Sequence, residues 1–171
     1  HVYVNHWPSR RGGEERSSPA RETAAGVCRN HINTILKREP NAKIIVMGDL
    51  NDDPDNPSIT GFLQAKGNRP ALQPGELFNP WTELYAKGIG TLANRDSWGL
   101  FDQIILSQAW LNEQQPGLFF HHQSIFTRNF LRENSRRYKV HPMRTEAGTT
   151  STDRSSPHTQ PTTYCPQKNN S

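Results

Sequence analysis

The sequence predicts a layered α/β domain, and three observations carry that prediction. Apolar residues recur at helical spacing across residues 15–38, and a short unbroken apolar run follows in "KIIVMG", residues 43–48. Further strand-like stretches then cluster in the second half of the chain. Strand, helix and strand in succession give a sheet with a helix laid against it.

Taken in order, "HVYVN" alternates and is rich in β-formers, so residues 1–5 read as a strand. "HWPSRRGGEE" reads as a loop punctuated by Pro8 and the Gly12–Gly13 pair. Ala25, Cys28, Ile32, Ile35 and Leu36 then mark one face of a helix over residues 15–38, which Pro40 stops. The run 43–48 has the composition of a strand buried on both faces. "PSITGFLQA" and "PWTELYAKG" read as short helices, the second ended by Gly88. "SWGLFDQIILS", residues 97–107, returns to strand, "AWL" makes a brief helical turn, and "LFFHHQSIFT" is a last strand candidate. No internal repeat is visible.

At 171 residues the chain can hold one domain with a core, but hydrophobic residues make up only 32 %. The deficit concentrates at the end. Residues 144–171 contain no Ile, Leu, Val or Phe, so burial there cannot offset the entropy of ordering. A domain over 1–145 and a disordered, low-complexity tail over 146–171 are therefore expected. No apolar run approaches the length of a membrane span, and no signal peptide is present in these residues. The first residue is His1 inside an apparent strand, which reads as a fragment lacking its natural N-terminus. Cys28 and Cys165 are no disulfide framework, and Cys28 falls on the helix face as core. The net charge of +4 suits a phosphate-bearing partner. A solvated surface of arginines, Arg10, Arg11, Arg16, Arg21 and Arg29 among them, is the simpler account.

Three strand candidates carry polar residues able to do chemistry: Asn5–His6, the "GDLN" of Gly48 to Asn51, and Asp102 within an apolar stretch. Each has a plain alternative. Asn-His after a strand can be a turn, and "GDLNDDP" can be a turn with a helix cap. Asp102 among Phe101, Ile104 and Ile105 is hardest to dismiss, because a half-buried carboxylate needs a partner. Together, carboxylate and amide oxygens suit a divalent metal, and a histidine suits a developing oxyanion. Those are the parts that phosphate-ester hydrolysis needs.

The stretches "VNHWPSRRGG", "IIVMGDLNDDPDNPSI" and "SWGLFDQIILS" resemble, in order and spacing, the endonuclease/exonuclease/phosphatase superfamily, which includes pancreatic deoxyribonuclease. The resemblance covers about residues 1–145, the second half of the usual domain, and implies part of a four-layer α-β-β-α sandwich. It implies a hydrolase acting on phosphodiester or phosphomonoester bonds by in-line attack of water, with Mg²⁺ or Mn²⁺ as cofactor. His6 would contact the scissile phosphate, and Asp49 would orient or deprotonate the water. Asn51 would bind phosphoryl oxygen or metal, and Asp102 would pair with a second histidine near the C-terminus. Asp49 and Asn51 would supply part of the metal site; Asn5 and Arg10 are candidate phosphate contacts. Trp7 and Trp98 flank the motifs as packing residues. Asp52, Asp53 and Asp55 read as loop and helix-start residues.

The family's early Asn and metal-binding Glu are absent from this chain, as is its final Ser-Asp-His motif. A frameshift would account for the tail, since a shifted frame across Pro161–Pro166 permits Asp-His-Leu-Leu-Pro. The expectation is an impaired enzyme fragment. Its partner would be a phosphate ester, nucleic acid included. A lipid phosphodiesterase or inositol phosphatase of the same fold is the nearer rival. A non-catalytic binding module that keeps the scaffold is the rival of another class.

Overall fold

In a computed structural model the described residues are 1–94, 97–114 and 116–126. Strand β1 (Val2–His6) leads through a loop into helix α1 (Glu14–Arg38), and strand β2 (Ile45–Asp49) follows. A π-helical turn, Ser58–Phe62, precedes two minimal strands, β3 (Ala65–Lys66) and β4 (Leu77–Phe78). Helix α2 (Trp81–Ala86), β5 (Leu92–Asn94), β6 (Ser97–Gly99) and β7 (Asp102–Ser107) complete the order, with a 3₁₀ turn at Gln108–Leu111. The predicted α/β class holds, and the predicted tail over 146–171 lies outside the described residues.

Five strands form one mixed sheet in the order β1-β2-β7-β4-β3, while β5 and β6 pair separately. β1 and β2 run parallel, joined through α1, and β7 inserts antiparallel beside β2. Strand alternation sorts the side chains. Tyr3, Val46 and Ile105 occupy one register row and face α1, where Ala25, Cys28 and Ile32 meet them in the core. Trp7, Ile44, Leu50, Ile59, Leu63 and Leu77 complete that cluster. Trp7 is thus the packing residue the sequence suggested.

The opposite face is far less covered. Val2 and Val4 are 62 % and 75 % exposed, Ile104 is 43 % exposed, and Ile45 and Met47 are only partly buried. The double-sided burial expected of the 43–48 run is therefore realised on the α1 face alone. Phe119 and Phe120 lie over part of this second face, near Ile45, Ile104 and Leu106. The last strand candidate is not found: residues 118–126 hold no strand, and Leu118, Phe119 and Phe126 stay exposed. The "PSITGFLQA" helix shortens to one turn because Ala65 and Lys66 pair with β4. The strand expected over 97–107 is broken at Leu100–Phe101, which separates β6 from β7.

The stripe of α1 holds one surprise. Arg21 and Arg29, read from sequence as surface charge, are buried at 0 % and 7 % exposure, in line with Ala25 and Cys28. Arg29 donates to the Gly75 and Leu63 carbonyls. Arg21 donates to Ser17 Oγ and the Pro8 carbonyl, and its Nε lies 2.7 Å from Asp52 Oδ1, a charge contact outside hydrogen-bond alignment. A buried guanidinium persists only with such partners.

Candidate active site

The sheet registers set three of the sequence-selected residues in one row. His6 pairs with Asp49 across β1 and β2, and Asp49 pairs with Asp102 across β2 and β7. They stand at the edge where β1 and β2 end and β7 begins, on the less covered face. Asp102 is therefore the first residue of its strand, because an antiparallel neighbour enters at the edge where the parallel pair leaves.

His6 Nε2 lies 3.7 Å from Asp49 Oδ2, with the imidazole mostly exposed. Asp49 Oδ1 accepts the Asn51 backbone N–H at 3.0 Å, closing a tight turn just past the strand. Asn51 takes a left-handed φ of 52°, a conformation that Asn tolerates better than most residues. Its Nδ2 donates to the Trp7 carbonyl at 2.9 Å, which leaves Oδ1 as an acceptor. The Trp7 N–H in turn donates to the Asp49 carbonyl, and the Leu50 N–H to Phe101, so the three strand ends are stitched together.

Asp102 Oδ2 accepts from Thr91 Oγ1 at 3.3 Å. Burial first, and then the Asp49 carboxylate beside it, push Asp102 above the usual aspartate range, while Thr91 and His6 oppose the rise. Two neighbouring carboxylates that repel each other favour a proton or a cation between them. Asp102 also lines a cavity of about 290 Å³ with Met47, Trp81 and Thr91. Thr91 is the residue that sequence reading missed. It lies in "GIGTLAN", where nothing marks it.

Asn5 and Arg10 do not join the row. Asn5 precedes His6 and so faces α1, where its Oδ1 accepts from Trp7 Nε1. The Arg10 guanidinium is engaged with the loop after β2 and with Glu14. Asp52 and Asp53 prove to be anchors of that loop. Asp52 Oδ2 accepts from Ser58 Oγ at 2.6 Å, and Asp53 Oδ1 from the Leu100 N–H at 2.7 Å.

Asp49 and Asn51 fit part of a site for a hard divalent cation, since both offer oxygen. Among the described residues no group of three or more His, Cys, Asp or Glu closes around an ion. No helix among them is long and apolar enough to cross a membrane.

No curated protein matches the sequence. Among solved structures, truncated Caenorhabditis elegans TDP2 is similar at 18 % identity with a TM-score of 0.42, over 62 % of this chain and 40 % of that one. The selenomethionine form of TDP2 from the same organism is similar at 18 % identity and a TM-score of 0.40, over 62 % of this chain and 30 % of that one. The chain thus spans less than half the length of either structure, and likeness at this level assigns neither substrate nor residue role. The family comparison reaches much further, because the model described as the Endonuclease/Exonuclease/phosphatase family matches residues 1–165. The chain belongs to the endonuclease/exonuclease/phosphatase family.

Proposed function

We propose that this chain carries half of the catalytic centre of a phosphoesterase that cleaves phosphodiester or phosphomonoester bonds by in-line attack of water. The observation that carries the reading is the single row His6–Asp49–Asp102 across three adjacent strands. His6, exposed beside Asp49, donates to a non-bridging phosphoryl oxygen. Asp49 orients the water and accepts its proton. Asn51, whose Nδ2 donates to the Trp7 carbonyl, keeps Oδ1 as an acceptor for a metal ion. Asp102 serves as acceptor for a further histidine in the complete site. Asp49 and Asn51 would hold a Mg²⁺ or Mn²⁺ ion, which when bound neutralises developing charge on the phosphoryl group.

We place the chain as the second half of a four-layer sandwich. The support is the apolar face that leaves Val2, Val4 and Ile104 exposed where a second sheet would pack. With neither that layer nor a complete set of oxygen donors among the described residues, the 171-residue chain alone is expected to be nearly inactive.

The test is a panel of DNA, sphingomyelin and inositol phosphates with Mg²⁺ against the full-length protein, wild type and Asp49→Asn. Turnover of at least one substrate, lost by about a hundredfold or more in the variant, is expected. An Asp49→Asn protein with unchanged biological function would instead favour a binding module.

A further inference from the structure

The loop arginine after β1 makes more contacts with the site's supporting loops than any residue of the row itself. Arg10 Nε donates to the Asn51 carbonyl at 2.9 Å. Its Nη2 reaches Asp52 Oδ1 at 3.1 Å, Asp53 Oδ2 at 3.2 Å and Asn56 Oδ1 at 2.8 Å, while Nη1 pairs with Glu14 at 2.8 Å. The guanidinium also lies over the Phe101 ring, 4.5 Å from its centroid. Apart from Glu14 at the start of α1, those partners come from the loop behind Asp49 and from the residue before Asp102, while Arg10 itself follows His6 by four positions. One side chain therefore touches the supports of all three strand ends.

The contacts converge on Asn51. Its N–H is held by Asp49, its side-chain amide by the Trp7 carbonyl, and its carbonyl by Arg10. A residue in a left-handed conformation needs such over-determination to stay there. Beneath Arg10, Asp52 is shared with the fully buried Arg21, so the clamp rests on the helix. A planar fork with donors on two edges suits this geometry, whereas a lysine ammonium cannot span it.

We infer that Arg10 is a positioning residue that sets Asn51 and Asp49 for the reaction and makes no contact with the substrate phosphate. This rests on the phosphoesterase reading above for its activity arm, and on the geometry of Asn51 alone for its second arm.

In the full-length protein, Arg10→Gln is expected to lower kcat about ten- to a hundredfold with KM nearly unchanged, the range that a misplaced catalytic group produces. Arg10→Lys should lose almost as much, because a point charge cannot replace the fork. In an Asn51→Ala background the further loss from Arg10→Gln should largely vanish. A raised KM with normal kcat, rescue by lysine, or an undiminished loss in the Asn51→Ala background would each overturn the inference. The second arm needs no turnover: side-chain amide NMR and hydrogen exchange at Asn51, in wild type and Arg10→Lys. Shifted Asn51 amide resonances and faster exchange of its backbone N–H are expected. Unchanged resonances and exchange overturn the inference even where wild-type turnover is absent, an outcome that by itself defeats only the phosphoesterase reading.

Discussion

Substitution of Asp52 by alanine offers the sharpest test of how this fold holds its site. The Asp52 and Arg21 side chains are 1 % and 0 % exposed, and Arg21 Nε lies 2.7 Å from Asp52 Oδ1. At an effective dielectric constant of about 20, opposite charges at that distance attract by roughly 6 kcal/mol. Desolvation of both ions offsets most of that gain, so the pair itself contributes little net stability. Removing one partner is another matter. Arg10 retains Asp53, Asn56 and Glu14, but Arg21 is left with only neutral acceptors, and Ser58 Oγ loses its partner. A stranded buried charge costs about 3–5 kcal/mol, a large part of the ~5–15 kcal/mol that stabilises a typical domain. Urea unfolding followed by tryptophan fluorescence measures it. Adding Arg21→Met should restore part of the loss, leaving the double variant more stable than the sum of the singles by about 1–3 kcal/mol. A cost under about 1 kcal/mol for Asp52→Ala, or strict additivity of the pair, refutes the reasoning.

Three further outcomes follow from other parts of the structure. Gly48 has φ +129°, and a Cβ there would sit 2.0 Å from the Asn5 carbonyl oxygen, so Gly48→Ala should prevent normal β1–β2 pairing and sharply reduce soluble, folded protein in circular dichroism. Asp102 has a raised pKa, so the folded chain binds its proton more tightly than the unfolded chain does, and this group's contribution to stability falls as pH rises from the ordinary aspartate range through the raised value. Asp102→Asn in the 171-residue chain should accordingly flatten the pH dependence of Tm and be no less stable than wild type at pH 7; an unchanged pH profile would count against the assigned environment. Burial pushes the Cys28 thiol up to about 11, so peptide mapping after mild alkylation at pH 8 should find it unmodified in folded protein and labelled in urea.

How much of this was legible depended on whether a pattern was local. The helix over 15–38, the strand into "GDLN" and the strand at the start each announce themselves through period and punctuation, and each is found within a residue or two. His6, Asp49 and Asp102 were selected because polar residues at strand ends are conspicuous, yet their common row is a fact of register that no single stretch contains. Arg21 shows the opposite case. Its spacing from Ala25 fits the core stripe, but an arginine there reads as surface until Asp52 arrives from 31 residues downstream. The two-residue strands β3 and β4 were invisible for the same reason, since their pairing is set by tertiary contacts rather than propensity. The aromatic run at 118–126 misled because a β-prone composition does not by itself supply a ladder partner, and its residues pair with no strand.

The row beside the candidate site explains why its geometry is held so closely. Adjacent residues on a strand face opposite ways, so each strand end supplies one side chain to the site and its neighbour to the structure behind it. Behind His6, Asp49 and Asp102 stand Asn5, Gly48 and Gln103 in matching register. Gln103, 1 % exposed, donates to the Asp52 and Leu100 carbonyls at 2.7 and 3.0 Å and accepts from Asn79 Nδ2 at 2.7 Å. It therefore fixes the loop carrying Asn51 and the approach to Asp102 at once. Gln103→Leu leaves those groups buried without partners, at about 1–3 kcal/mol for each. Adding Asn79→Ser removes the stranded amide donor while its Oγ can still accept from the Trp81 N–H that Asn79 Oδ1 holds at 3.1 Å, and should recover part of the stability. Activity should not recover with it, because the Asp52 carbonyl still lacks its donor and the loop behind Asp49 is free to shift. Parallel recovery of Tm and turnover in the double variant would show that Gln103 supports the fold without positioning the site.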